Sequence, residues 1–108
     1  MSTKNYIGLL MYDITISCPL ERKNYENFRK HILKKGYYQL QESVYICRYK
    51  YREKIKGDLE EIKKLAPIKS NIRFILLTKQ QFSSTEILSG EKSFIEDILS
   101  RKRAVIEL

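Results

Sequence analysis

The sequence is poor in the residues that most enzymes use for catalysis and metal binding. It contains one histidine, His31, and two cysteines, Cys18 and Cys47, which lie in neither a C-x-x-C nor a zinc-binding spacing. Catalytic histidine pairs and histidine-rich metal sites are therefore excluded, and both cysteines are expected to be ordinary thiols. The four glycines form no phosphate-binding loop.

Long apolar runs are also missing. No run approaches the roughly 18 residues that a membrane span needs. The first ten residues, MSTKNYIGLL, lack the basic region, apolar stretch and cleavage site of a signal peptide. We therefore expect a cytoplasmic protein without a membrane partner. The composition, 43% hydrophobic and 31% charged over 108 residues, is typical of one soluble globular domain.

Positive charge is abundant and unevenly distributed. The net charge is +8, and residues 20–56 carry 11 Lys/Arg against 4 Asp/Glu, a balance of +7; the remainder has 10 against 9, or +1. A concentrated basic field favours a polyanionic partner, nucleic acid first. The alternative is a solvated basic protein from a genome that encodes Lys and Ile abundantly.

The hydrophobic pattern predicts six alternating elements. The first is the strand YIGLLMYDI, Tyr6–Ile14, which is apolar on both faces as expected for the centre of a sheet. The others are a helix from Pro19 or Leu20 to Lys35 that Gly36 ends, strands 37–41 and 43–49, a helix 52–66 and a strand 72–77. Because Gly57 weakens its first turn, the second helix has an alternative start with Asp58 as its cap. This order predicts an α+β, ferredoxin-like βαββαβ fold with an antiparallel sheet.

The C-terminal part is predicted to be an extension, residues 83–108, of a ferredoxin-like domain formed by residues 1–82. A turn at 78–82 is expected to precede a short strand near Glu86–Leu88 and a helical patch around 93–99. The terminal RAVIEL, 103–108, is strand-like and needs a sheet edge to pair with. A partner subunit's edge is a reasonable candidate.

One acidic residue is placed where ligands often bind. Of the three aspartates, Asp13 alone ends a buried strand, whereas Asp58 is interpreted as a helix cap and Asp97 as an exposed helix residue. A single carboxylate binds magnesium poorly, but a two-fold dimer would set Asp13 opposite its copy, and the pair could hold one Mg²⁺ or Mn²⁺. The alternative is an aspartate that only shapes a loop or caps a helix.

The basic and aromatic residues provide the candidate nucleic-acid surface. Eight cations, on the first predicted helix and at the end of the third strand, are candidate phosphate contacts: Arg22, Lys23, Arg29, Lys30, Lys34, Arg48, Lys50 and Arg52. Such contacts supply affinity without base readout, and simple solvation is the alternative for each. Five tyrosines are interpreted as core and dimer packing rather than as an RNA-binding platform, because no stretch fits the RNP1 pattern: Tyr37, Tyr38, Tyr45, Tyr49 and Tyr51.

Several blocks together resemble a known family. These are LLMYDI ending in Asp13, a short loop, the run ERKNYENFRKHILKKGYYQLQESVY and the later LTKQQF, which span roughly residues 6–82. In order and spacing they resemble the small CRISPR-associated endoribonuclease, family two, most closely the variant of systems with a single large effector nuclease (type II).

The resemblance implies a ferredoxin-like homodimer that acquires new spacers, bridges two dimers of the CRISPR integrase and lies against duplex DNA. It also implies a magnesium site at the dimer axis that uses Asp13, and endonuclease activity on single-stranded RNA or double-stranded DNA. Three functions are therefore open: a DNA-binding scaffold, a metal-dependent endonuclease and a toxin-like ferredoxin-fold ribonuclease that acts outside any CRISPR locus.

Overall fold

The structure is a computed structural model that describes residues 5–91. Its elements are β1 (Tyr6–Ile14), α1 (Pro19–Lys34), β2 (Tyr38–Gln41), β3 (Val44–Tyr49), α2 (Arg52–Leu65), β4 (Ser70–Thr78) and α3 (Lys79–Ser83). The predicted βαββαβ order is confirmed, and the predicted bounds differ from these by at most two residues. Within the described residues no helix has the length and hydropathy that would let it cross a membrane.

The four strands form one antiparallel sheet in the order β2-β3-β1-β4. The strand β1 is central: it pairs with β3 on one side and with β4 on the other. Both neighbouring strands end beside the first residue of β1, since Tyr6 lies opposite Tyr49 of β3 and Thr78 of β4. This position explains why β1 is apolar on both faces.

The main core lies between the sheet and the helices α1 and α2. Leu10 and Tyr12 of β1 pack there with three alternate residues of β3, Tyr45, Cys47 and Tyr49. The helices contribute the apolar positions predicted from their periodicity, Phe28 and Ile32 from α1 and Ile55 and Ile62 from α2. Gly36 has φ +101° directly after α1, which confirms it as the predicted stop.

Among residues 5–91, the opposite sheet face, here called the open face, is covered by neither of the two long helices. Residues that lie directly opposite each other in an antiparallel pair share a face, so the open face comprises Ile7, Leu9, Met11 and Asp13 of β1, Val44, Ile46 and Arg48 of β3, and Asn71, Arg73, Ile75 and Leu77 of β4. The short helix α3 covers one end, where Phe82 packs against Ile7 and Ile46. Elsewhere the face is only partly covered.

The interpretation of Asp58 as a helix cap is wrong. The helix α2 begins at Arg52, so Asp58 lies in its interior and is buried. Its carboxylate accepts hydrogen bonds from the Tyr49 hydroxyl (2.7 Å) and from Lys54 (3.0 Å), and Lys35, the residue that follows α1, lies 3.9 Å away. These partners offset the cost of burying the charge, and Gly57 is tolerated inside the helix.

The region after β4 also departs from expectation. The predicted turn at 78–82 is the helix α3, which starts with a capping box: Thr78 accepts from the Gln81 backbone, and the Gln81 side chain accepts from the Thr78 backbone. The predicted strand at Glu86–Leu88 is wrong, because those residues have no regular structure. The predicted elements at 93–99 and 103–108 lie outside the described residues, and the division at residue 82 stays a prediction.

Candidate functional site

Asp13 lies at the end of the apolar row of β1 on the open face. The row runs through buried Ile7 and half-buried Leu9 and Met11, and it ends in the exposed carboxylate of Asp13. Directly opposite on β4 stands Asn71. The structure therefore places the predicted acid on the sheet face that α1 and α2 leave uncovered, one residue before β1 ends.

Two polar residues of β4 accompany Asp13. Arg73 lies opposite Met11 and is thus diagonal to Asp13, roughly 7–8 Å away between backbones. Its Nε donates a hydrogen bond at 3.1 Å to Oδ1 of Asn71, the residue directly opposite Asp13. Neither Asn71 nor Arg73 was predicted from sequence to belong to the site. The alternation in SNIRFILLT sets both on one face, but only the register with β1 brings that face to Asp13.

The donor set at this end of the sheet is incomplete for a metal in a single chain. Residues 5–91 bring no three His, Cys, Asp or Glu side chains together as a metal site. Magnesium is usually held by one or two carboxylates, completed by water and phosphate. The exposed Asp13 carboxylate fits such a site, and a second copy of the same residue would provide the second carboxylate.

The apolar part of the open face is accessible to a partner. Ile75 at its centre is 47% exposed, and Leu9 and Met11 beside it are half-buried. A groove of about 530 Å³ runs along the face between Leu9, Met11, Leu40, Val44 and the segment Thr85–Leu88. Partly exposed apolar residues of this kind are typical of a protein interface.

The basic residues of α1 form one of two separate groups. Arg22, Lys23, Lys30 and Lys34 are exposed along the helix, whereas Arg29 is partly buried and its Nε donates to the Tyr45 hydroxyl at 2.9 Å. The start of α1 is held near the start of β4, because Glu21 accepts from the Ser17 backbone (2.6 Å) and pairs with Lys69 (3.0 Å). Arg22 and Lys23 therefore lie at the same end of the sheet as Asp13.

The second group lies at the other end of the sheet. Arg48, Lys50 and Arg52 are exposed at the end of β3, and the Arg52 guanidinium lies 5.4 Å from the ring centre of Tyr6, the first residue of β1. Asp13 follows Tyr6 by seven residues, which is roughly 24 Å at about 3.4 Å per residue. Within one chain, Asp13 and this group therefore cannot contact the same phosphate.

The five tyrosines divide into two kinds. Tyr37, Tyr45 and Tyr49 are buried, which confirms the core interpretation for these three, while Tyr38 is 49% and Tyr51 57% exposed. Burial raises the pKa of Tyr37 and of Tyr49 well above the usual value for tyrosine, so both hydroxyls stay neutral. Tyr49 donates to Asp58 and forms a 2.8 Å hydrogen bond with Tyr37.

Comparison with known proteins gives a consistent result. The family described as CRISPR associated protein Cas2 matches residues 5–85. A CRISPR-associated endoribonuclease Cas2 of Campylobacter jejuni is 36% identical over 90 residues, which cover 83% of this chain and 63% of the relative. The protein of the same name from Streptococcus mutans is 32% identical over 84 residues, 78% of this chain and 77% of the relative.

A solved structure shares the fold. The crystal structure of Streptococcus pyogenes Cas2 superimposes with a TM-score of 0.60 at 24% identity and covers 77% of this chain and 99% of that one. The ferredoxin-like arrangement predicted from the order of elements thus occurs in a solved protein. The chain spans less than two thirds of the length of the Campylobacter relative.

Proposed function

The chain belongs to the CRISPR-associated Cas2 family, and from that premise we propose that it works in spacer acquisition as a homodimer that binds duplex DNA and bridges two dimers of the CRISPR integrase. Its function is CRISPR-associated, and this favours the proposal over a toxin-like ribonuclease that acts outside any CRISPR locus. We also propose that the dimer is a metal-dependent endonuclease.

The observation that carries the proposal is the open face, an apolar surface that ends in a single carboxylate. Leu9, Met11 and Ile75 are left partly exposed on it. Stacking this face on its copy about a two-fold axis would bury these side chains. The same contact would bring two Asp13 side chains to the interface from opposite subunits.

Asp13 and Arg73 would then have different roles in cleavage. Two facing Asp13 carboxylates would hold one Mg²⁺ or Mn²⁺, which when bound lowers the pKa of a water ligand and offsets charge on a phosphate. Arg73, held by Asn71, would bind a phosphate oxygen of the substrate next to the acids. The relatives are named endoribonucleases, and single-stranded RNA and double-stranded DNA are the substrates to test.

The exposed side of α1 supports DNA binding. Lys23, Lys30 and Lys34 follow each other at spacings of seven and four residues, which places them on one line along the helix. They span roughly 16 Å, and a dimer would present two such lines. Each phosphate that they neutralise steepens the salt dependence of binding.

The dimer is tested by placing a charge on the open face. We expect Ile75→Glu to convert a dimer into a monomer in light scattering, because the carboxylate would be buried in an apolar interface. The matched control is Ile68→Glu on the α2–β4 loop, which is fully exposed and lies off the open face; it should stay dimeric. A monomeric wild-type protein, or a dimeric Ile75→Glu variant, would contradict the proposal.

Catalysis is tested with Asp13→Ala and Asp13→Asn on labelled RNA and duplex DNA. We expect cleavage that needs Mg²⁺ or Mn²⁺, stops with EDTA and is absent from both variants while the dimer persists. Equal cleavage by the variants would mean that the activity comes from a contaminant.

DNA binding and bridging are tested separately from catalysis. Replacing Lys23, Lys30 and Lys34 by Gln should weaken duplex binding and reduce the salt slope by about 0.9 for each phosphate that is no longer neutralised. Replacing three exposed lysines of α2, Lys56, Lys63 and Lys64, removes the same charge as a control and should do much less. Deletion of residues 103–108 should abolish co-purification with the integrase; unchanged co-purification would count against bridging through that segment.

A further inference from the structure

We propose that the end of the sheet opposite Asp13 binds unpaired bases of a single-stranded nucleic acid. The site, here called the tyrosine end, comprises Tyr38 and Tyr51 with the cations Arg48, Lys50 and Arg52. It adds a binding site for single strands at the other end of the sheet from the proposed cleavage site, and it therefore rests on the proposed function.

Two tyrosine rings at this end belong to neither of the described core clusters. The stretch 48–52 reads RYKYR, in which cations and tyrosines alternate. Tyr49 is 1% exposed and its hydroxyl is bonded within the core, so it belongs to the fold. Tyr51 and Tyr38 instead expose about half of their surface to solvent. Exposed aromatic faces of this kind are what bases stack on.

Cations accompany both of these rings. Tyr38 lies opposite Ile46 on β2, and Arg48 is two residues further along β3, diagonal to Tyr38 on the open face. Lys50 and Arg52 stand on either side of Tyr51 in the chain. Arg52 is held over the ring of Tyr6 at 5.4 Å.

The sequence around the tyrosine end is predominantly positive. Between Ile46 and Gly57 the only acidic residue is Glu53, against Arg48, Lys50, Arg52, Lys54 and Lys56. Lys54 is paired with Asp58, whereas Arg48, Lys50 and Arg52 are exposed. The phosphate backbone of a nucleic acid is attracted by this positive charge. An acidic peptide would be attracted too, but it would leave the two aromatic faces without stacking partners, so a nucleic acid is the better match.

The ligand should be single-stranded because a duplex hides the faces of its bases. Tyr38 lies opposite Ile46, and Tyr51 follows Ile46 by five residues, so at most roughly 17 Å of chain at about 3.3 Å per residue separates the two positions. Both rings would therefore be within reach of one short strand. Stacking tolerates every base, so we expect little sequence preference.

The test compares oligonucleotides with and without bases. Fluorescence anisotropy of the full chain in EDTA would be measured with labelled dT and rU strands of about 12 nucleotides, an abasic strand of equal length and a duplex. We expect dT and rU to bind at least about fivefold more tightly than the abasic strand, the lower end of the effect of stacking one base. Comparing dT with rU distinguishes a DNA from an RNA ligand.

Variants separate stacking from charge. The double change Tyr38→Ala/Tyr51→Ala should abolish the preference for base-containing strands and leave duplex affinity unchanged. The double change Tyr38→Phe/Tyr51→Phe keeps both rings and should retain the preference. A preference that survives the double Ala variant would overturn the inference.

The remaining outcomes distinguish this inference from the proposed function. If the wild-type protein binds duplex but binds dT, rU and abasic strands equally, only the inference about the tyrosine end is refuted. If it binds neither duplex nor single strands at low salt, the proposed DNA binding fails and this inference fails with it.

Discussion

Removing one buried hydroxyl should cost this protein a large part of its stability. Tyr49 is 1% exposed, and its hydroxyl donates to Asp58 at 2.7 Å and forms a 2.8 Å hydrogen bond with Tyr37. The change Tyr49→Phe keeps the ring and its packing but deletes both hydrogen bonds. Since Tyr49 gives its only proton to Asp58, Tyr37 is the donor in the second bond.

The expected cost follows from what the deletion leaves behind. A hydrogen bond to a carboxylate contributes about 1.5–3 kcal/mol, and a buried donor without an acceptor costs about 1–3 kcal/mol. Asp58 keeps its hydrogen bond from Lys54, which limits the part of the cost that comes from its carboxylate. We therefore expect a decrease of about 2–4 kcal/mol in the free energy of unfolding, out of a total of about 5–15 kcal/mol for a typical protein.

Urea denaturation at fixed protein concentration measures this decrease, because a dimer's stability depends on concentration. The control Tyr51→Phe removes a hydroxyl from a ring that is 57% exposed and should stay within about 0.5 kcal/mol of wild type. The double variant Tyr37→Phe/Tyr49→Phe should cost less than the sum of the single changes, since it removes the stranded donor. An unchanged Tyr49→Phe protein, or additive effects, would refute the reasoning.

Two further predictions concern small residues and thiols. Gly8→Ala should destabilise the protein by about 1–3 kcal/mol, because the new Cβ would lie 2.7 Å from Phe74. Gly57→Ala has open space around its Cβ and should stabilise α2 by about 0.5–1 kcal/mol. The urea midpoints of both variants test these expectations, and equal effects would contradict the packing described for Gly8. Exposed Cys18 should react with a thiol reagent at once and buried Cys47 only on unfolding. Burial raises the pKa of the Cys47 thiol from 9.0 to about 11, so the unfolded chain loses this proton first and stability should fall as pH rises from about 9 to 11. A Cys47→Ala variant should show a shallower fall.

The fold could be predicted from sequence because its signals are local. The run Tyr6–Ile14 is apolar in both registers, and α1 has three apolar residues on one face followed by Gly36. Such patterns depend only on the period of the element that contains them. One local signal was missed: Thr78 and Gln81 form the capping box that starts α3, where a turn was predicted.

The surroundings of the acids could not be predicted, because they depend on contacts between distant segments. Asp58 looked like a cap beside Gly57, yet its partners come from β3 and from the residue that follows α1 as well as from its own helix. Asn71 lies opposite Asp13 because β1 pairs with β4, and the hydrophobic pattern of either strand does not show which residues of the two strands are paired. Likewise, sequence grouped Arg22 with Arg48, whereas the topology sets them at opposite ends of the sheet.

The capped start of α3 has a consequence for anyone who fuses another protein to this chain. Thr78 is both the last residue of β4 and the cap of α3, so no linker separates them. The chain therefore passes directly from β4 to the open face, and Glu91 lines the same groove as Leu9 and Met11. A tag spliced in after Glu91 would start next to the surface that two copies would share, so reporter domains are better attached ahead of β1.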